Sequence, residues 1–160
     1  MSRILVLLSF LLVSGCLLGK TERNYAVAQL QDTKNGKIIG VVTFTELKNF
    51  QTQIDIELNN LSGDYVLHIH EYGDLTGADY TKLGKIFDPL KNRQRRSSDV
   101  SLPVGLLGVI EDVTINYKTS FVKDNLALQR RFSVIGRALV LHDLNSKKVA
   151  VGVIARGKSL

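Results

Sequence analysis

The chain has 160 residues, of which 44% are apolar and 22% charged, and its net charge is +6. That length and balance suit one domain with a real core and exclude a disordered chain. The basic excess admits an acidic surface or a sulfated matrix as a partner. The basic residues are mostly scattered and no aromatic-plus-basic module appears, so nucleic acid is not expected.

The N-terminus opens with Met1-Ser2-Arg3, a short basic start. Residues 4–13 are almost wholly apolar, and Ser14-Gly15-Cys16 supplies small residues. These are the three regions of a signal peptide, too short to span a membrane. The expectation is a signal peptide over 1–19, cleaved near 15–19, and a secreted or extracellular domain over 20–160. Val13-Ser14-Gly15-Cys16 also fits a loose bacterial lipoprotein box, which would give a periplasmic protein or one lipid-anchored through Cys16. An ordinary cleaved signal with no role for Cys16 is the plainer alternative. Cys16 is the one cysteine of the chain. One cysteine excludes an intramolecular disulfide, and if Cys16 leaves with the signal, cysteine catalysis and a zinc–thiolate site are excluded as well.

The remainder reads as strands. Residues 25–31 form a first run, closed by turn residues over 32–36. Runs at 37–45 and 50–58 follow, the latter strictly alternating at its end. Gly63-Asp64 turns the chain into a fourth run at 65–72. Residues 104–110, 113–117, 132–142 and 149–155 complete the set. β-Branched and aromatic residues dominate these runs and turn residues separate them, with no helical period. The expected fold is all-β, a Greek-key β-sandwich or flattened barrel of about eight strands. Asn60-Leu61-Ser62 is a glycosylation sequon, expected in a hairpin turn.

Residues 73–102 lack periodicity and carry Gly73, Gly77, Gly84 and Asp88-Pro89. A loop of this length in a compact domain is usually functional or mobile. Within it, Arg93-Gln94-Arg95-Arg96 resembles a dibasic processing site, although a solvated basic loop explains it as well.

Two of the three histidines, His68 and His70, lie in Leu67-His68-Ile69-His70. Strand alternation sends both to one face. His142 ends the apolar run that contains Gly136-Arg137. Three imidazoles without a thiolate suit copper or zinc. Because imidazole ligates in its neutral form, affinity is expected to fall as pH drops through about 6.5. The alternative is a pair of solvated histidines on a strand face.

Five motifs, in order, resemble the copper/zinc superoxide dismutases. They are His68-Ile69-His70-Glu71-Tyr72-Gly73-Asp74, Ile86-Phe87-Asp88-Pro89, Val104-Gly105-Leu106-Leu107-Gly108, the 135–142 segment ending in His142, and Ala150-Val151-Gly152-Val153-Ile154. The resemblance covers about residues 25 to 156. That family is a known Ig-like sandwich architecture.

The resemblance implies a copper site with departures. Copper in the family takes four histidines, and His68, His70 and His142 fall on three of those positions. Ile86 falls on the fourth, which bridges to zinc. Pro103 and Leu106 stand where zinc ligands would be, so zinc is not expected. Asp79 or its neighbour and Val151 occupy the disulfide positions. The arginine that attracts superoxide aligns with Lys148, leaving anion attraction to a point charge without an arginine's fork. The stretch from His142 to Gly152 is much shorter than in typical members. Gly136 and Arg137 are expected to be structural, as are Glu71 and Asp74.

The resulting expectation is a dismutase-like secreted protein with a partly lost metal site, binding one copper with weak or no activity. Two alternatives stand beside it: a metal-free interaction module on the same fold, and an active copper-dependent superoxide dismutase. Superoxide, if the site is active, and a second copy of the chain complete the candidate partners.

Overall fold

A computed structural model describes residues 24–48, 51–89 and 102–158. The expected signal peptide, Cys16 and Arg93–Arg96 fall outside the described residues. Within them the chain is almost entirely β. The strands are β1 (Tyr25–Asp32), β2 (Ile38–Glu46), β3 (Gln51–Asn59), β4 (Gly63–Ile69), β5 (Leu106–Val113), β6 (Asn116–Asp124), β7 (Ala138–Asp143), β8 (Lys148–Val153) and the three-residue β9 (Ala155–Gly157). One 3-10 segment, Ala78–Leu83, lies in the long loop after β4.

Eight strands form one antiparallel sheet in the order β5-β4-β7-β8-β1-β2-β3-β6, and β9 pairs with β1. The two ends of that order, β5 and β6, approach each other, so the sheet curls into a nearly closed barrel. Lys123 on β6 spans the seam, its Nζ donating to the Leu106 carbonyl at 2.8 Å. The β3–β4 and β6–β7 connections cross the barrel ends, which makes the fold Greek-key.

Alternation explains the wall. Ala26, Ala28 and Leu30 of β1, Val42 and Phe44 of β2, and Ile54, Ile56 and Leu58 of β3 all point inward and are fully buried. Leu67 and Ile69 of β4 and Leu139 and Leu141 of β7 complete the same cluster. β1 and β3 thus carry their buried apolar sets on one face, and a one-residue register slip would expose them.

Three differences from the sequence reading follow from the structure. β6 runs on to Asp124, past the expected end near residue 117. β7 begins only at Ala138, because Gly136 adopts φ +83° and the preceding residues form a turn. The Asn60 sequon sits not in a hairpin but in a crossover, since β3 and β4 are not neighbours. There the Asn60 N–H donates to Ile115 at 2.8 Å.

Candidate metal centre

The end of β4 is fastened by a three-way backbone exchange. Ile69 N–H donates to Gly105 (2.7 Å), Gly105 N–H to Phe87 (2.7 Å), and Phe87 N–H to Ile69 (2.8 Å). A Cβ at Gly105 would stand 2.4 Å from the Ile69 carbonyl oxygen, so only glycine fits. Just beyond, His70 forms an isolated bridge with Ile86. With Leu67 and Ile69 in the core, His68 and His70 are directed to the outer face. β7 pairs with β4 so that His68 lies opposite Val140 and Val66 opposite His142. His142 is therefore the diagonal neighbour of His68 on that face.

The three histidines converge. One ring nitrogen from each lies within 4.8 Å of the others. The His68 and His142 ring centroids are 4.9 Å apart, and those of His70 and His142 5.7 Å. The Nε2 atoms of His70 and His142 are separated by 3.4 Å, and both residues are buried.

Backbone carbonyls fix how two of these rings are turned. His70 Nδ1 lies 3.1 Å from the Gly84 oxygen, and His142 Nδ1 lies 3.1 Å from the Ser146 oxygen. A carbonyl can only accept, so each Nδ1 carries the hydrogen and each neutral ring presents an Nε2 lone pair to the centre. Such anchoring of the second ring nitrogen is a recurrent feature of metal-binding histidines. Two lone pairs facing at this distance fit a shared cation, so the donor set suits a metal ion.

Electrostatics favour the neutral, ligating form. Burial, with the neighbouring His142 and His70, lowers the His68 pKa to about 4. Burial also lowers that of His70, against the Gly84 hydrogen bond, and the positive charges of His142 and Lys148 add to the effect.

The surrounding loop rests on a second apolar cluster. Leu83 packs with Ala138, Val140 and Val151, and Leu75 and Tyr80 close over them. The 73–86 segment is thereby laid across the outer faces of β7 and β8. Val151, at the expected disulfide position, meets the loop through apolar contact rather than sulfur. Arg137 completes the support: its Nη1 donates to the Glu71 carbonyl, its Nε to the Ser133 carbonyl at 3.0 Å, and its guanidinium lies 3.7 Å from the centre of the Phe87 ring. The structural role expected for Arg137 agrees with these contacts. Glu71 Oε2 accepts from Lys85 N–H at 3.1 Å, and Asp74 accepts from Thr76 N–H at 2.9 Å. Both carboxylates are engaged as loop and turn caps.

At the departures, Ile86 is half-buried beside His70, and Leu106 stands opposite His68 in the β4–β5 register. Neither side chain can ligate. Lys148 pairs with His142 across β7 and β8, and its Nζ donates to the Asp79 carbonyl at 3.2 Å. The β7–β8 connection is reduced to residues 144–147. Sequence reasoning missed Gly84 and Ser146, because a carbonyl acceptor leaves no signature in residue type.

Comparison with known proteins agrees with this geometry. Residues 38–154 match the family model described as copper/zinc superoxide dismutase. The chain is 34% identical over 121 residues to a Cu-Zn superoxide dismutase of Schizosaccharomyces pombe, covering 73% of this chain and 77% of that protein. It is 33% identical over 126 residues to an extracellular Cu-Zn superoxide dismutase of Brugia pahangi, covering 76% of this chain and 61% of that one. Among solved structures, the clock protein EA4 superposes with a TM-score of 0.69 at 30% identity, covering 87% of this chain and 98% of that one. A Greek-key barrel with three converging histidines, matched over most of its length, places the chain in the copper/zinc superoxide dismutase family.

Proposed function

We propose that the chain is a secreted, superoxide dismutase-like protein that binds one copper ion through His68, His70 and His142, with weak or no dismutase activity. The observation that carries this is the facing Nε2 pair of His70 and His142, each ring locked by a carbonyl on its far nitrogen. Three imidazoles satisfy Cu(I) as a trigonal ion more fully than Cu(II). Bound copper would supply a one-electron couple. Burial holds His68 and His70 neutral, Lys148 lies near the site, and only Ile86 stands where a proton-carrying histidine would serve. Ile86 can neither ligate nor move a proton, which is the ground for weak turnover. With Ile86, Pro103 and Leu106 at the family's zinc positions, no separate zinc site is proposed. Superoxide is the substrate of any residual activity. The likeness to an extracellular dismutase of Brugia pahangi supports export.

The test is metal analysis of the purified mature protein, followed by a dismutase assay with copper supplied. One equivalent of copper with turnover far below an active dismutase is expected. Full activity overturns the weak-turnover reading, and failure to bind copper leaves the metal-free interaction module as the better account.

A further inference from the structure

A groove of about 550 Å³ opens where three connections meet beside the metal centre. The β1–β2 turn brings Lys34 to it, the β7–β8 turn brings Lys147, and β8 opens with Lys148. Asp79 supplies the lining's one carboxylate. None of the three lysines forms an ion pair among the described residues. The turns' own carboxylates act as backbone caps: Asp32 Oδ1 accepts from Lys34 N–H at 2.7 Å, and Asp143 Oδ1 from Lys147 N–H at 2.8 Å.

The frame is built without a ligand. Thr33 N–H donates to the Val149 carbonyl at 3.0 Å, and its hydroxyl to the Lys148 carbonyl at 2.9 Å, which stitches the β1–β2 turn to β8. Lys148 is held over the loop by the Asp79 carbonyl at 3.2 Å. Three lysines thus line one concavity whose lining holds a single acidic residue. Its volume lies in the range of small-molecule sites and far exceeds a diatomic anion. Lysines act as point charges toward phosphate.

We infer that this groove, which borders the metal centre and shares Lys148 with it, binds a compact anion carrying two or more phosphate groups. Isothermal titration of the full chain at low salt tests it. Inorganic tripolyphosphate and orthophosphate are the probes, and copper content is measured before and after so that chelation is not read as binding. Tripolyphosphate should bind at least about 10-fold more tightly than orthophosphate, because multiple charges engage together. The double variant Lys34→Gln/Lys147→Gln, at exposed positions, should lose about 10-fold. Lys118→Gln, on the far side of the sheet in an ion pair with Glu57, should lose nothing. Equal weak binding of both anions, or tripolyphosphate binding that survives the double variant, overturns the proposal. Preferential capture of a sulfated oligosaccharide over tripolyphosphate, insensitive to the double variant, also overturns it in favour of a diffuse basic surface.

Discussion

His70 and His142 meet nitrogen to nitrogen at 3.4 Å although they lie 72 residues apart in the chain. The contact joins the end of β4 to the end of β7, and neither residue can donate to the other in its neutral form. A metal ion or a shared proton must reconcile the two lone pairs.

That mutual dependence gives the first prediction. His70→Ala and His142→Ala should each weaken copper binding by about 100-fold or more, since loss of an outer-shell partner alone costs about 10–100-fold. Titration with a competing copper chelator measures both. A local His68–His70 chelate would instead keep copper in His142→Ala, and that result would remove the three-histidine site.

Acid should loosen the metal-free fold. The His68 pKa is lowered from 6.5 in the unfolded chain to about 4 in the folded one. Between those values the unfolded state binds more protons, so stability is full above about pH 6.5 and declines as pH falls toward about 4. His70 shifts in the same direction. For the same reason copper should persist below the pH of about 6.5 expected from free imidazole. Urea midpoints at pH 7 and 4.5 check this. His68→Gln should flatten the difference, and an unchanged slope in that variant would assign the acid sensitivity elsewhere.

Only one metal equivalent should bind tightly. Zinc and copper should compete for the same three imidazoles, because Ile86 and Leu106 beside them cannot ligate. Ile86→His should alter the copper spectrum without creating a second, zinc-specific site. Simultaneous binding of one zinc and one copper in the unaltered protein would contradict the prediction.

Leu83→Ala should destabilise the protein by about 2–5 kcal/mol, the usual range for a buried leucine. Leu83 is 1% exposed and anchors the loop that delivers the Gly84 carbonyl to His70. Copper affinity should fall with it. Thermal unfolding and copper titration read the two effects, and a loss of stability with intact affinity would mean that Gly84 is positioned independently of Leu83.

Much of this was legible in sequence because strand alternation is a local signal. Leu67 and Ile69 facing inward dictated that His68 and His70 face outward, and the structure agrees. The second half of β6 leaves little trace in the sequence, because its residues alternate between half-buried and exposed and Lys118, Ser120 and Lys123 dilute the apolar period. Val134 and Ile135 read as strand by residue type, whereas Gly136 bends the backbone into φ +83° and β7 starts only at Ala138. The docking of Leu75, Tyr80 and Leu83 was invisible: three apolar residues in an aperiodic loop show no face until the sheet beneath them is known.

That docking has a consequence for how the metal loop is governed. In a chain with a single cysteine, the tether between the loop and β8 is Tyr80 and Leu83 resting on Val151, not a covalent bond. Thiol reductants and oxidants therefore have no lever on it. Its grip is graded rather than all-or-none, weakening with cold and denaturant as apolar contacts do. The hold on the loop therefore follows temperature and solvent rather than the redox state of a thiol.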